Sequence, residues 1–397
     1  MNIIYIGPFS GCGGLSQDNR KYAIALHDLG HYVRIVDIDD SSTKAILNMT
    51  ETSKLSKMKE NKIDKDFYAI HSYNPNNFHQ LIQKQAKMNI FITSTYTDAY
   101  PSYWAQAVNM ADQIWTYNNT NKTAIEGYGI DHNKVKIIPF SVDSTIYNAS
   151  GHQAHIENLE DDHFVALSVM PWERKKGWDL LIPSFIMRFR ENNRATLLLK
   201  TWKNHDLQLG AMEIEDQIRS IRNQFKSKFG EDPKCHIKII NYHLGTDQMA
   251  ALYRRADCYV APIRGGDHFN SILEAMASSL PIVITNVSDK LDFLSKDNSV
   301  RFDILGTSPV SADMEENRLR PWFAGHRWLE PNPDALSKAI NFIHSNPEEA
   351  EKIGNAGSAC IYNMTTKHSA ELMIKYLNGE DVLVSNSTGK KTDSVTI

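Results

Sequence analysis

The residues best suited to chemistry lie in the segment RGGDHFNSILEAMASSLPIVIT, residues 264–285. Gly265 and Gly266 follow an apolar run and precede a helical pattern, so the backbone there can approach a ligand closely. The N-terminus of that helix offers unpaired N–H groups, which suit a phosphate. We expect Glu274 in the first turn of the helix, where its carboxylate could accept hydrogen bonds from ribose hydroxyls. The alternative is a capped helix in which Glu274 only complements the helix dipole.

A second segment, SVMPWERKKGWDLLI at residues 168–182, places three consecutive cations between an apolar run and a helical pattern. Arg174, Lys175 and Lys176 could together neutralise a diphosphate leaving group as it departs from a sugar. The alternative is a solvated basic turn with no ligand.

A third segment, GPFSGCGGLS at residues 7–16, is a glycine-rich loop between the expected first strand and first helix. It lacks the Gly-x-Gly-x-x-Gly spacing of dinucleotide sites, and no Walker lysine follows it. On its own it is a weak signal, because glycine-rich turns between strands and helices are common.

Composition restricts the class of protein. The 397 residues are 42% hydrophobic and 23% charged, which is ordinary for a globular chain of two domains. The net charge of -4 gives no basic surface for nucleic acid. No run approaches the roughly 20 apolar residues of a membrane helix, and residues 2–6 are expected to be a strand rather than a signal peptide. Four scattered cysteines indicate a reducing compartment and no metal site. We expect a cytoplasmic protein, with peripheral membrane contact left open.

Strand and helix patterns alternate along the chain, which indicates parallel sheets with helices on both faces. Residues 41–66 are polar and predict a mobile loop or loose helix, and residues 143–162 predict a linker after which the alternation restarts. Ligands of such sheets bind at the carboxyl ends of the strands. Strands are expected at 2–6, 32–36, 68–70, 90–93, 113–116, 135–138, 164–168, 195–199, 237–240, 258–261 and 282–284. Helices are expected at 17–29, 78–87, 101–110, 120–128, 178–190, 212–229, 246–254, 271–278, 333–344, 347–362 and 367–377.

These elements predict an α/β protein with two doubly wound, Rossmann-like domains that face a central cleft. Residues 1–158 are expected to form the N-terminal domain, which the C-terminal helix at 363–378 is expected to join. Residues 159–362 are expected to form the C-terminal domain. Residues 379–397 are rich in Ser, Thr, Gly and Lys and predict a disordered tail.

The three chemical segments together resemble the retaining GT-B glycosyltransferases of family four, the glycosyl transferases group 1. Glu274 matches the family's second glutamate, Lys176 the lysine before a glycine, and Gly13 and Gly14 the N-terminal glycine loop. Residues 111–119 and 137–143 also resemble family elements, so the resemblance runs from about residue 3 to about residue 376.

The resemblance implies a metal-independent transfer of a sugar, with retention of configuration, from a nucleotide-sugar donor to an acceptor hydroxyl. It implies no cofactor beyond that substrate, and a UDP-sugar is favoured over a GDP-sugar. The family also has an arginine in this segment, and its alignment with this sequence could differ by one or two positions. Arg174 and Lys175 are therefore both candidates for the phosphate-binding partner of Lys176. The expected catalytic residues are Arg174, Lys176, Asp267 and Asp98. The expected donor-binding residues are Gly13, Gly14, His268, Phe269, Asn270, Ser271 and Glu274.

Two departures from the family pattern concern the donor sugar. Gly266 stands where the family has its first glutamate, and Asp267, one residue later, is the candidate replacement. The histidine that many members carry after the strand at 89–93 is absent, and Asp98 is the candidate there. The alternative for Asp98 is a cap on the following helix or a turn.

Other activities stay open because of these departures. The chain could be a nucleotide-sugar-binding protein that has lost catalysis, or a nucleotide-sugar epimerase on the same architecture. A phosphorylase would need a cofactor lysine motif that the sequence lacks. A glycan, a lipid-linked sugar, a small metabolite and a modified base all remain candidate acceptors, and the sequence does not define the oligomeric state.

Overall fold

The computed structural model describes residues 1–38, 44–160, 162–203, 207–266, 268–287 and 291–380. Within them the first domain contains a parallel sheet with the strand order β2-β1-β3-β4-β5-β6. Its strands are β1 (Asn2–Gly7), β2 (Tyr32–Asp37), β3 (Phe67–His71), β4 (Met88–Ile92), β5 (Gln113–Thr116) and β6 (Val135–Ile137). Its helices are α1 (Gly14–Asp28), α2 (Met49–Glu60), α3 (Phe78–Leu81), α4 (Ser102–Val108) and α5 (Asn119–Glu126).

The second domain repeats this plan with the strand order β12-β11-β10-β7-β8-β9, again parallel. Its strands are β7 (Phe164–Pro171), β8 (Ala195–Trp202), β9 (His236–Ile240), β10 (Cys258–Ala261), β11 (Ile282–Thr285) and β12 (Val300–Phe302). Its helices are α6 (Trp178–Phe189), α7 (Leu207–Phe229), α8 (Thr246–Arg255), α9 (Asn270–Ala277), α11 (Pro333–Ser345) and α12 (Pro347–Ile361), with a hairpin insertion described below that contains α10 (Met314–Leu319).

Both faces of each sheet are covered, which explains why the strands are almost continuously apolar. Along β1, Ile3 and Tyr5 pack into one core while Ile4 and Ile6 pack into another. Along β8, Leu198 belongs to the core that joins the two domains. The predicted fold class, two doubly wound α/β domains facing each other, is confirmed.

An antiparallel hairpin, β13 (Ile304–Pro309) with β14 (Arg327–Pro331), lies outside the second sheet and was not expected. Its connecting segment contains α10. Val310, Phe323 and Trp328 of this insertion pack around Tyr96 of the first domain and form a small core of their own. The insertion therefore binds the second domain to the first.

The last helix, α13 (Thr366–Leu377), returns to the first domain. Ser369 Oγ donates to the carbonyl of Pro139 at 3.0 Å, and Tyr376 Oη donates to the carbonyl of Ile137, also at 3.0 Å. The predicted disordered tail lies outside the described residues from residue 381 onward.

Several element boundaries differ from those predicted. Helix α1 begins at Gly14, because Gly13 already has the extended conformation of an N-cap, and Ser16 is inside the helix rather than capping it. Helix α3 ends at Leu81, well before the predicted residue 87, since the backbone of Gln83 turns to donate to Asn89 Oδ1 at 2.9 Å. Part of the region predicted as a loop or loose helix is the regular helix α2, which has a capping box from Asn48 to Glu51.

Candidate active site

Strand order locates the candidate site. In doubly wound sheets, ligands bind beyond the carboxyl ends of the strands, where the chain reverses its direction of winding. In the first sheet this switch point lies between β1 and β3, and in the second it lies between β7 and β10. The glycine loop follows β1, the cation turn follows β7 and the segment 262–270 follows β10. The three chemical segments predicted from sequence thus lie at the two switch points.

The two switch points meet at Gly14 and His268. A β-carbon at Gly14 would stand 2.8 Å from the β-carbon of His268, so a larger residue at position 14 would push the domains apart. His268 Nδ1 lies 2.6 Å from Asp18 Oδ2 in the first turns of α1. By contrast, a β-carbon at Gly13 would meet no atom within 4 Å.

Asp18 is a buried charge at this contact. Its carboxylate is 3% exposed and pairs with Lys21 Nζ at 2.8 Å as well as with His268. Burial opposes ionisation, but Lys21 and His268 outweigh it and hold the pKa of Asp18 well below its usual range. Lys21 also donates to Asn270 Oδ1 at 2.8 Å, so α1 and α9 are joined by a charged network.

Glu274 is buried at the centre of the interface. It lies in the second turn of α9, so the expectation that it occupies the first turn is wrong, and a dipole role loses its basis. Gln17 Nε2 donates to Glu274 Oε1 at 2.6 Å, and Tyr253 Oη donates to Glu274 Oε2 at 2.8 Å. Burial raises the pKa of Glu274, while the bonds from Gln17 and Tyr253 favour the carboxylate. The carboxylate can therefore accept strong hydrogen bonds from a hydroxylated ligand.

The glycine pair lies where the domains approach most closely. A β-carbon at Gly265 would stand 2.1 Å from the carbonyl oxygen of Tyr96. Any side chain there would clash with this oxygen unless the backbone moved. A β-carbon at Gly266 would stand 2.7 Å from the ring of Phe269. Gly265 is thus required by a contact between domains, and Gly266 by a contact within its own loop.

The cation turn is held by carboxylates. Arg174 Nε lies 3.1 Å from Asp179 Oδ2, and its guanidinium is 46% exposed. Lys175 Nζ lies 3.0 Å from Glu173 Oε2, and it is also 4.5 Å from the centroid of the Tyr96 ring. Lys176 is partly buried in the same turn. The turn follows β7, so its backbone lies at the switch point of the second sheet.

Gly177 and Arg264 shape this turn. Gly177 has φ +78°, and a β-carbon there would stand 1.9 Å from the carbonyl oxygen of Pro262. Arg264 is 1% exposed and donates from Nη1 to Asp179 at 2.7 Å and from Nη2 to Glu330 at 2.8 Å. Arg264 thereby ties the cation turn to the hairpin insertion, a role the sequence did not indicate.

The remaining predicted site residues have distinct surroundings. Phe269 is buried edge-on against Phe140 of the first domain, with ring centroids 5.3 Å apart. Ser271 Oγ accepts a hydrogen bond from Tyr259 Oη at 2.8 Å. Asp98 Oδ1 accepts from the backbone N–H of Arg327 at 2.8 Å, on the exposed side of the insertion. Asp267 lies outside the described residues.

Sequence reasoning missed Gln17, Asp18 and Lys21, which carry most of the contacts from α1. A signal was present: Asp18, Asn19 and Arg20 are consecutive polar residues early in a helix that otherwise shows apolar spacing. All three are buried. Buried polar residues need partners. Asn19 and Arg20 bond to the first domain, at Ser72 and Phe9 among others, whereas Asp18 reaches His268 of the second domain.

The described residues contain neither a metal-binding cluster nor a membrane-spanning helix. No group of three or more His, Cys, Asp or Glu side chains there could hold a metal ion. None of the helices described has both the length and the apolar character needed to cross a bilayer.

The arrangement of two sheets around this cleft defines a class of protein, the GT-B fold. It is shared with the crystal structure of Anabaena HepE in complex with UDP and glucose, with a TM-score of 0.64 and 11% identity over 96% of this chain and 100% of that one. It is also shared with an α,α-trehalose-phosphate synthase (UDP-forming) from Burkholderia vietnamiensis, with a TM-score of 0.65 and 12% identity over 95% of this chain and 98% of that one. At these identities the likeness establishes the fold alone.

The sequence of the second domain matches a known family. Residues 161–346 match the family described as "Glycosyl transferases group 1". The family resemblance drawn from the three chemical segments is therefore confirmed.

One curated relative matches over a shorter span. Mannosylfructose-phosphate synthase from Agrobacterium fabrum is 25% identical over 167 residues, which are 41% of this chain. The match spans about a third of that protein's length, 34%.

Proposed function

We propose that this protein is a glycosyltransferase that moves a sugar from a nucleotide-sugar donor to an acceptor hydroxyl. The observation that carries the proposal is the meeting of the two switch points, where Gly14 contacts His268 and the buried carboxylate of Glu274 faces α1. Ligands of doubly wound sheets bind at such points. The family of the second domain and the GT-B fold support the same activity.

We assign the donor nucleotide to the second domain, with its ribose on Glu274. A carboxylate accepts hydrogen bonds from vicinal hydroxyls well, and Glu274 is held in place by Tyr253. Ribose bound there takes the place of the Gln17 amide. UDP is the favoured nucleotide, and the structural likeness to a protein solved with UDP and glucose supports that choice.

We assign the diphosphate to the cation turn and to the loop amides of the segment 262–270. Negative charge grows on the leaving phosphate as the sugar bond breaks, so preformed cations lower the barrier. Lys176 and Arg174 are the residues proposed for this role. With these cations, transfer proceeds without a metal ion, and the acceptor hydroxyl attacks on the face from which the phosphate departs, so configuration is retained.

The donor sugar is the part of the substrate for which this chain departs from its family. We propose that Asp267 replaces the missing glutamate and that its carboxylate binds a sugar hydroxyl, with Asp98 a second candidate. Asp267→Asn should then reduce turnover strongly while leaving the affinity for free UDP nearly constant, because the side chain would contact only the sugar. Equal turnover by the variant would remove Asp267 from the site.

The activity is tested by incubating the purified full-length chain with UDP-sugars and GDP-sugars and measuring release of the nucleoside diphosphate, with EDTA present and absent. Release that depends on an added acceptor and survives EDTA is the expected result. Binding of a nucleotide-sugar without turnover, over a panel of glycan and small-hydroxyl acceptors, would indicate a binding protein. The anomeric configuration of the product, read by NMR, tests retention.

A further inference from the structure

Lys200 is a buried lysine that the reaction scheme above does not use. It lies near the carboxyl end of β8, beside Val169 of β7 on one side and Ile240 of β9 on the other, and is 5% exposed. It makes no ion pair with a carboxylate among the residues that the structure describes. A buried ammonium with no counter-charge is unfavourable because it loses solvation, so a functional reason for Lys200 is expected.

The face of the sheet on which Lys200 lies is the face toward the first domain. Side chains alternate along a strand, so Lys200 shares a face with Leu198. Leu198 belongs to the core that extends across both domains, whereas Leu197 and Leu199 belong to the core behind the sheet. Two titratable groups interact electrostatically with Lys200, namely Cys12 of the glycine loop and His243 after β9.

The neighbouring cations differ from Lys200 in being neutralised. Arg174 pairs with Asp179, Lys175 with Glu173, and Lys203, three residues beyond Lys200, with Glu213. The ring of Trp202 lies beside Lys200 Nζ, with its centroid 5.1 Å away. An aromatic face compensates an ammonium only in part.

We propose that Lys200 binds a phosphate oxygen of the nucleoside diphosphate, facing the cation turn from the adjacent strand. This inference rests on the proposed function, since it takes the diphosphate to lie at the switch point beside β7. It assigns to Lys200 an ion pair that no carboxylate of the described residues provides. The cation turn then orients the leaving group, while the phosphate of the ligand compensates the charge of Lys200.

The charge of Lys200 gives the proposal a pH signature. Burial lowers the pKa of Lys200 to about 8, with Cys12 acting in the opposite direction. The ammonium that binds phosphate is thus lost in the free protein as pH rises from 7 to 9. Affinity for UDP should fall over this interval in the wild type and stay flat in Lys200→Met. Cys12→Ala is measured alongside, so that a contribution from the thiol is seen separately.

The deciding experiment is calorimetry of UDP, GDP and uridine with the wild type, Lys200→Met and Lys203→Met. We expect Lys200→Met to weaken UDP binding by about tenfold or more, to leave uridine binding unchanged, and to melt at the same or a higher temperature. Lys203→Met, which removes a neutralised charge nearby, should bind UDP as the wild type does. If Lys200→Met binds UDP as tightly as the wild type does, the inference is wrong. It is also wrong if the variant loses affinity for uridine as much as for UDP. In both cases the proposed function stands. Failure of the wild type to bind UDP or GDP overturns the proposed function and the inference with it.

Discussion

Glu274 lies between the two domains, and we propose that it also binds the ribose of the donor. It is buried, yet both of its oxygens accept hydrogen bonds, from Gln17 and Tyr253. These hydrogen bonds lower the free-energy cost of burying the charge. Because Gln17 belongs to the first domain and Tyr253 to the second, the contact with Gln17 is the one that a ligand in the cleft would replace.

Glu274→Gln should weaken UDP binding by about 1.5–3 kcal/mol, since a hydrogen bond from a ribose hydroxyl to a charged acceptor contributes about that much. Calorimetry checks the change. Glu349→Gln, which alters an exposed carboxylate paired only with Lys352, serves as the control. Unchanged affinity in Glu274→Gln would remove this residue from the ribose site.

Asp18→Asn should lower the free energy of unfolding by about 3 kcal/mol at pH 7, because breaking a buried ion pair leaves its partners uncompensated. The folded-state pKa of Asp18 is depressed, so its contribution is complete above the unfolded value of about 3.9 and is lost as pH falls through the folded value. Urea unfolding at pH 7 and at pH 3 should therefore show a smaller difference from the wild type at the lower pH. A difference that grows in acid would contradict this assignment.

At the scale of elements, the cation turn joins β7 to α6 and carries three consecutive cationic residues, Arg174, Lys175 and Lys176. Lys176→Ala and Arg174→Ala should each lower kcat more than they weaken donor binding, because the charge on the phosphate grows in the transition state. Steady-state kinetics and UDP calorimetry on the same preparations separate the two effects. If only one variant behaves so, that residue is the phosphate ligand, and if neither does, the diphosphate lies elsewhere.

The loop after β10 and the loop after β4 are in close contact across the two domains. Gly265→Ala should destabilise the protein by about 1–3 kcal/mol, because its β-carbon would overlap the carbonyl oxygen of Tyr96. Gly325→Ala is the matched control, since a β-carbon there meets no atom within 4 Å. Chemical denaturation of both variants tests this, and equal stability would show that the two loops separate freely.

At the scale of the molecule, the two domains are closed upon each other through α1. Gln17→Ala should strengthen UDP binding about fivefold, because a hydrogen bond of about 1 kcal/mol no longer competes with the ribose for Glu274. In a Glu274→Gln background the same change should have little effect, which a double-mutant cycle measures. A loss of affinity in Gln17→Ala would mean instead that the Gln17 amide itself contacts the ligand.

The alternation of apolar runs and helical spacing determined the two-domain α/β fold from sequence alone. This was possible because the hydrophobic periods of strands and helices are local properties of the sequence. The apolar run from Val165 to Val169, for example, predicts a buried parallel strand without reference to distant residues. The switch-point loops were found for the same reason, since glycines and cations between a strand and a helix are visible in a short window. Glu274 was placed correctly in α9 but one turn too early, because helix starts are weakly marked without a capping side chain.

Only the tertiary structure decided which side chains meet across the cleft. Asp18 and His268 are 250 residues apart, and Tyr96 and Gly265 are also far apart in the sequence, so no local period links them. The same holds for charge: Arg174 and Lys200 look alike in the sequence, but one has a carboxylate at 3.1 Å and the other is buried without one among the described residues. Burial and pairing set the energy of a charge, and both depend on the packing of the two domains rather than on the neighbouring residues in the chain.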